Sequence, residues 1–183
     1  VFNAIKKFDG NIKDYINTQD FWGNTALHFI HRCDAVEHLL SLFMEHGANI
    51  NIKNETGQTP LFTICESRLN LISLYMKYNA DSSVIDNNNE TVLFKVIQNN
   101  DFTDQYHILD MLISSGVDLN VYNKIYSVSV LILACVNRNL RLIKYLVKKG
   151  ANLHAINPYG YNIVNFFVKT LNDPYTKSIS LEL

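Results

Sequence analysis

The residues best placed to do chemistry are few. His28 and His31 stand three apart, a spacing that on a helix can share a metal ion. Cys33 and Asp34 are near, but no further side chain is obviously placed to complete four ligands, so no metal is expected. The chain has three cysteines, Cys33, Cys65 and Cys135, and no close CxxC pair. A nucleophilic cysteine needs a partnered base and an oxyanion site, and nothing in the sequence supplies them. Phosphate-loop, dinucleotide, zinc-protease and nucleophile-elbow strings are all absent. Carboxylates are scattered without a convincing acid/base pair. The expectation is a chain with no cofactor and no catalytic role of its own.

Charge narrows the partners. With 16 basic and 17 acidic side chains the formal charge is -1, which argues against a nucleic-acid binder. One basic run, Arg138, Arg141, Lys144, Lys148 and Lys149, could meet an acidic partner or lipid head group. The simpler reading is a solvated helix face. No apolar run approaches the ~18 residues of a membrane span. An odd cysteine count suits a reducing, intracellular and cytoplasmic setting. Asn54-Glu55-Thr56 and Asn89-Glu90-Thr91 would accept glycans only in a secreted protein.

These residues are positioned by a repeat. GNTALH (23–28) aligns with GQTPLF (57–62), NETVLF (89–94), SVSVLI (127–132) and, more weakly, GYNIVN (160–165). Leu27, Leu61, Leu93, Leu131 and Val164 are separated by 34, 32, 38 and 33 residues. A second anchor keeps step: Gly47, Asn79, Gly116 and Gly150 are 32, 37 and 34 apart. The chain thus divides into a single domain of units near 1–19 (partial), 20–53, 54–85, 86–123, 124–156 and 157–183 (partial, capping).

Each unit reads as two short helices and a loop. In the fourth, Ser129 is an N-cap and Leu131, Ala134 and Cys135 form an i, i+3, i+4 stripe. A second helix carries Leu142, Ile143, Leu146 and Val147 on one side, with lysines opposite. Gly150 follows, where a helix ends in a left-handed residue, and Asn79 holds that place earlier. First helices are expected near 25–33, 59–66, 91–98 and 129–136, second helices near 35–46, 69–78, 105–115 and 139–149. About five extra residues fall at 99–105, and Ser127 replaces the opening Gly.

The opening D-x-x-G-x-T-P-L-H and closing L-L-x-x-G-A-D/N-x-N patterns resemble the ankyrin repeat. Asp20, Gly23, Thr25, Leu27 and His28 match the opening, as do Gly57, Thr59, Pro60 and Leu61; HGANIN (46–51) and SGVDLN (115–120) match the closing. The resemblance covers nearly the whole chain. It implies an all-α solenoid with first helices lining a concave face and loop fingers at its edge. It also implies that His28 braces its loop, and that Cys65 and Cys135 fill a small-residue position. Stacked units bury faces that one unit cannot bury alone.

The implied function is partner binding by a monomeric scaffold or adaptor. Fingertip and concave positions follow by register: Phe21, Trp22, Asn24, Arg32, Glu55, Gln58, Asn88, Glu90, Tyr126, Tyr159 and Tyr161 are expected to face another protein. Val128 is read as a tip as well. Trp, Tyr and Arg dominate interface energetics; the alternative is that the rings fold back and stiffen the loops. Two rivals stand beside this reading. The array could be a targeting or regulatory arm of a longer enzyme or adaptor, as a start at Val1 within an apparent helix would fit; or it could be a metal-binding or catalytic domain. At the ends, Val1, Phe2, Ile5, Ile179, Leu181 and Leu183 suggest apolar faces needing cover, so loss of 170–183 is expected to weaken the fourth unit or to promote association.

Overall fold

The computed structural model describes residues 15–99, 106–137 and 139–165. The terminal apolar residues, most of the extra stretch at 99–105 and Arg138 lie outside them. Every regular element among the described residues is helical. The first pair is α1 (Ala26–Phe29), prolonged by a 3-10 turn over Ile30–Arg32, and α2 (Val36–Glu45). The second is α3 (Pro60–Ser67) and α4 (Ile72–Lys77), the latter entered through a 3-10 turn at Leu69–Leu71. The third is α5 (Val92–Gln98) and α6 (Tyr106–Ser114), and the fourth α7 (Val130–Val136) and α8 (Leu140–Lys148). With the two 3-10 turns counted in, each lies within a residue or two of its expected span.

Stacking buries what one pair leaves open. α1 packs on α3, α3 on α5 and α5 on α7. The aligned Leu27, Leu61, Leu93 and Leu131 all fall in one continuous core, each contributing roughly 1.5–3 kcal/mol by burial. In the fifth copy Val164 is exposed. α1 stops early for a local reason: the backbone at Cys33 turns extended, and Arg68 of the next unit donates Nη1 to the carbonyls of His31 (3.0 Å) and Cys33 (3.1 Å). Asn99 does likewise for α3, donating to Cys65 and Glu66 carbonyls. Carbonyls orphaned at a helix end are thus satisfied across the stack.

The second helices end as expected. Gly47, Gly116 and Gly150 take φ of 85°, 101° and 101°, and Asn79 takes 58°. Beyond this point asparagines link neighbouring units. Asn17 Oδ1 accepts from Asn49 N, Asn51 Oδ1 from Asp81 N, and Asn120 Oδ1 from Asn152 N, at 2.7–2.8 Å. Where Ser83 replaces Asn, a Ser82–Ser115 hydroxyl contact of 2.6 Å joins the units instead. Asparagine fills about one position in eight of this sequence, and this ladder gives part of the reason: its amide both accepts from and donates to backbone.

Candidate partner-binding surface

Five loops project in a row, built by one rule. An opening Asp or Asn folds its Oδ1 onto two backbone amides further along: Asp20 onto Trp22 and Asn24, Asn54 onto Thr56 and Gln58, Asp86 onto Asn88 and Glu90. Asn123 accepts from Tyr126 and Val128, and Asn157 from Tyr159 and Tyr161. Such Asx turns drive the next bend into left-handed backbone. Gly23, Gly57, Asn89, Ser127 and Gly160 occupy it, with φ from 50° to 79°. Asn123 opens its finger four residues before the left-handed position, whereas the other openers stand three before it. The extra residue lengthens this finger and carries Ile125 and Tyr126 outward.

Backbone bonds stitch the row. Glu55 N donates to Trp22 O (3.0 Å), Asn87 N to Thr56 O (2.9 Å) and Lys124 N to Asn88 O (2.7 Å). A Cβ on Gly23 would meet Glu55 N at 2.7 Å, so this junction requires glycine for space as well as for φ.

The side chains divide into two groups. Phe21 (90% exposed), Trp22 (66%), Tyr126 (73%) and Tyr159 (69%) stand out from the tips, with Glu55 and Asn88 also exposed. Phe21 and Trp22 pack edge to face at 5.8 Å within one finger, a self-contact that still leaves both accessible. Arg32 is exposed at the far end of the first helix, its guanidinium 5.1 Å from the Phe29 ring centroid. Tyr161 is partly exposed, behind the tip.

Asn24, Gln58 and Glu90 do not present themselves as the register implied. Each follows the left-handed residue, where the chain has already turned inward. Asn24 Oδ1 accepts from Asn54 Nδ2 (2.9 Å), Gln58 Nε2 donates to Asp86 Oδ2 (2.9 Å), and Glu90 Oε1 accepts from Asn123 Nδ2 (3.0 Å). The three form an inter-unit zipper, and Glu90 is only 5% exposed. In the fourth unit Val128 holds this place and is buried, not a tip. The signal was present in sequence: a polar residue just before the N-cap of each of the first three first helices, opposite a second polar opener one unit on.

Behind the zipper, Lys95 Nζ lies 3.0 Å from Glu66 Oε1 and 3.3 Å from Glu90 Oε2. Burial pulls its pKa down, but bonds to and attraction by the two carboxylates outweigh this and hold it above the ordinary lysine value. One ammonium between two carboxylates leaves this cluster with one formal negative charge.

The histidine and cysteines have structural surroundings. His28 Nδ1 accepts from Thr25 N (3.0 Å), so Nε2 carries the proton and reaches Gln58 O at 3.1 Å. Both ring nitrogens are engaged, and burial lowers the pKa. Burial pushes the Cys65 thiol up, and the Cys135 thiol up to about 12, against thiolate chemistry. Among the described residues no three His, Cys, Asp or Glu side chains are grouped to hold a metal. In both N-x-T strings the amide is engaged, Asn54 Nδ2 with Asn24 and Asn89 Nδ2 with the Tyr122 carbonyl. On the convex side Lys149 pairs with Asp110, which also accepts from Tyr145 Oη, while Lys144 and Lys148 are exposed.

Compared with known families, residues 31–123 match a model of ankyrin repeats in three copies, and residues 128–158 match the single ankyrin repeat. The chain belongs to the ankyrin-repeat family. Ankyrin repeats are in general protein–protein interaction modules. No individual curated protein matches the sequence significantly. The family match begins at His31, yet the Asp20 finger before it obeys the same bonding rule as the fingers of the matched repeats. None of the described helices of this ankyrin stack is long and apolar enough to cross a membrane.

Proposed function

We propose that this chain is a monomeric, non-enzymatic adaptor or scaffold inside the cell that grips a partner protein with its concave face and finger row. The observation that carries this is the presentation of Phe21, Trp22, Tyr126 and Tyr159 from tips whose backbones are already fixed. Rings held this way lose little entropy on docking, so a few of them can supply most of the affinity. Arg32 adds a cation beside exposed Phe29 of the first helix. Glu55, Asn88 and Tyr161 flank the contact, and Asn24, Gln58 and Glu90 support it from behind. Three free thiols suit a reducing compartment.

Affinity capture with the intact chain, repeated with Trp22→Ala and Tyr126→Ala, tests this. The expected result is loss of captured partner at an unchanged melting temperature. Variants that melt earlier yet keep the partner would show that the rings serve the fold instead.

A further inference from the structure

The concave surface changes chemistry along its length. At the first unit the tip carries Phe21 and Trp22, and the helix below exposes Phe29 beside Arg32. At the fourth the tip carries Ile125 and Tyr126 and the helix exposes Val136; Tyr159 stands on the next tip. The two units between are polar at both levels. Their tips expose Glu55, Thr56, Asn87 and Asn88, and their first helices expose Glu66, Ser67 and Gln98. Tip row and helix row come from different positions of each unit, so their agreement is two observations.

Successive first helices pack directly on one another, so three interaxial steps of ~8–10 Å separate the apolar ends, roughly 25–30 Å. An extended chain rising ~3.3 Å per residue spans that with about eight or nine residues. The polar middle offers the side-chain amides of Asn88 and Gln98, suited to the free backbone groups of an extended segment; a helix would have bonded its own. Charge is graded too. Arg32 favours a carboxylate near the first apolar end, and exposed Glu55 and Glu66 favour a cation at the second unit, before Lys124 Nζ on the Asn87 carbonyl of the third tip.

Resting on the function proposed above, we infer that the occupant is one extended segment of a partner protein with two bulky apolar side chains about nine residues apart. It carries an acidic residue at the end that crosses the first unit, where Arg32 stands beside Phe29, and a basic residue toward the middle. Neither end alone gives the full affinity; linking them makes the second contact intramolecular.

The test is selection of a displayed library of random 16-residue peptides against the intact chain. Recovered peptides are then measured by fluorescence anisotropy on wild-type, Trp22→Ala and Tyr126→Ala proteins of equal melting temperature. The expected peptides carry two apolar clusters at this spacing and lose about 30-fold or more with either substitution. Deleting four spacer residues should weaken binding and make one of the two substitutions silent. Glu55→Lys should shift selection toward acidic middles. Peptides with one apolar cluster, sensitive to only one substitution, overturn the two-anchor inference while leaving concave-face binding intact. Binders indifferent to both substitutions overturn both readings, and recovery of no binder overturns the extended-segment claim.

Discussion

Asn123 Nδ2 donates to the buried carboxylate of Glu90 at 3.0 Å, from one finger to the next, while the other oxygen of Glu90 faces Lys95 at 3.3 Å. A residue that register alone assigns to a partner is thus committed to its own stack. Glu90→Ala strands the Asn123 amide and leaves Lys95 with Glu66 only. The expected loss is about 2–4 kcal/mol, because uncompensated buried polar and charged groups are costly. Urea unfolding checks it, with Glu55→Ala, exposed at its tip, expected within about 0.5 kcal/mol of wild type. Equal midpoints for the two variants would refute the zipper.

The N-cap threonines should respond unequally. Thr25 Oγ1 lies 3.0 Å from His28 Nδ1, but Phe62 and Phe94 stand where the second and third units would need that histidine. Thr59 and Thr91 hydroxyls are accordingly buried without a hydrogen-bond partner among the described residues. Thr25→Val should cost about 1 kcal/mol, and Thr59→Val should be neutral or stabilising by up to about 1 kcal/mol. Thermal melts of the two variants side by side decide the matter.

Left-handed backbone gives a prediction of opposite signs. Ser127 takes φ 50° where three equivalent positions hold glycine. Ser127→Gly relieves Cβ strain and should stabilise by about 0.5–1 kcal/mol. Gly23→Ala adds strain and a 2.7 Å approach to Glu55 N, and should destabilise by more than about 1 kcal/mol. A Gly23→Ala protein as stable as wild type would mean that the first two fingers are not held together as described.

Acid should loosen the first unit. Burial lowers the pKa of both His28 and His31, so the unfolded chain binds protons first as pH falls through their ordinary value of 6.5. Stability is full above that value and declines as pH drops from 6.5 toward the lower folded-state values. His28→Phe, which copies Phe62 and Phe94, should flatten the decline. Denaturant midpoints at pH 7.5, 6.5 and 5.5 measure it; a midpoint that rose on acidification would contradict the neutral, bonded ring.

The architecture was legible in the sequence because a repeat states each rule several times. Four leucines and four helix terminators in step located the helix pairs, and Asn79 takes the left-handed φ expected of it; that Ser127 keeps a left-handed φ in place of the opening glycine is a finding of the structure. Which side chains face out was legible only in part. Phe21, Trp22, Tyr126 and Tyr159 are exposed as expected, whereas Asn24, Gln58, Glu90 and Val128 turn inward. One residue of register past the left-handed bend separates the two groups, and a tip defined as a span of residues cannot resolve it.

What the amino-acid order determined by itself was therefore local: helix periodicity, caps, terminators and the Asx openers, each a matter of a few neighbouring residues. What only the stacked structure decided was pairing across about thirty positions: Asn24 with Asn54, Gln58 with Asp86, Glu90 with Asn123 and Lys95, and Arg68 with the end of the preceding helix. A polar side chain looks the same in sequence whether it meets water or the next unit. The difference arises when packed neighbours exclude water and the unpaired group becomes costly, so that the stack, and not the residue type, chooses its partner.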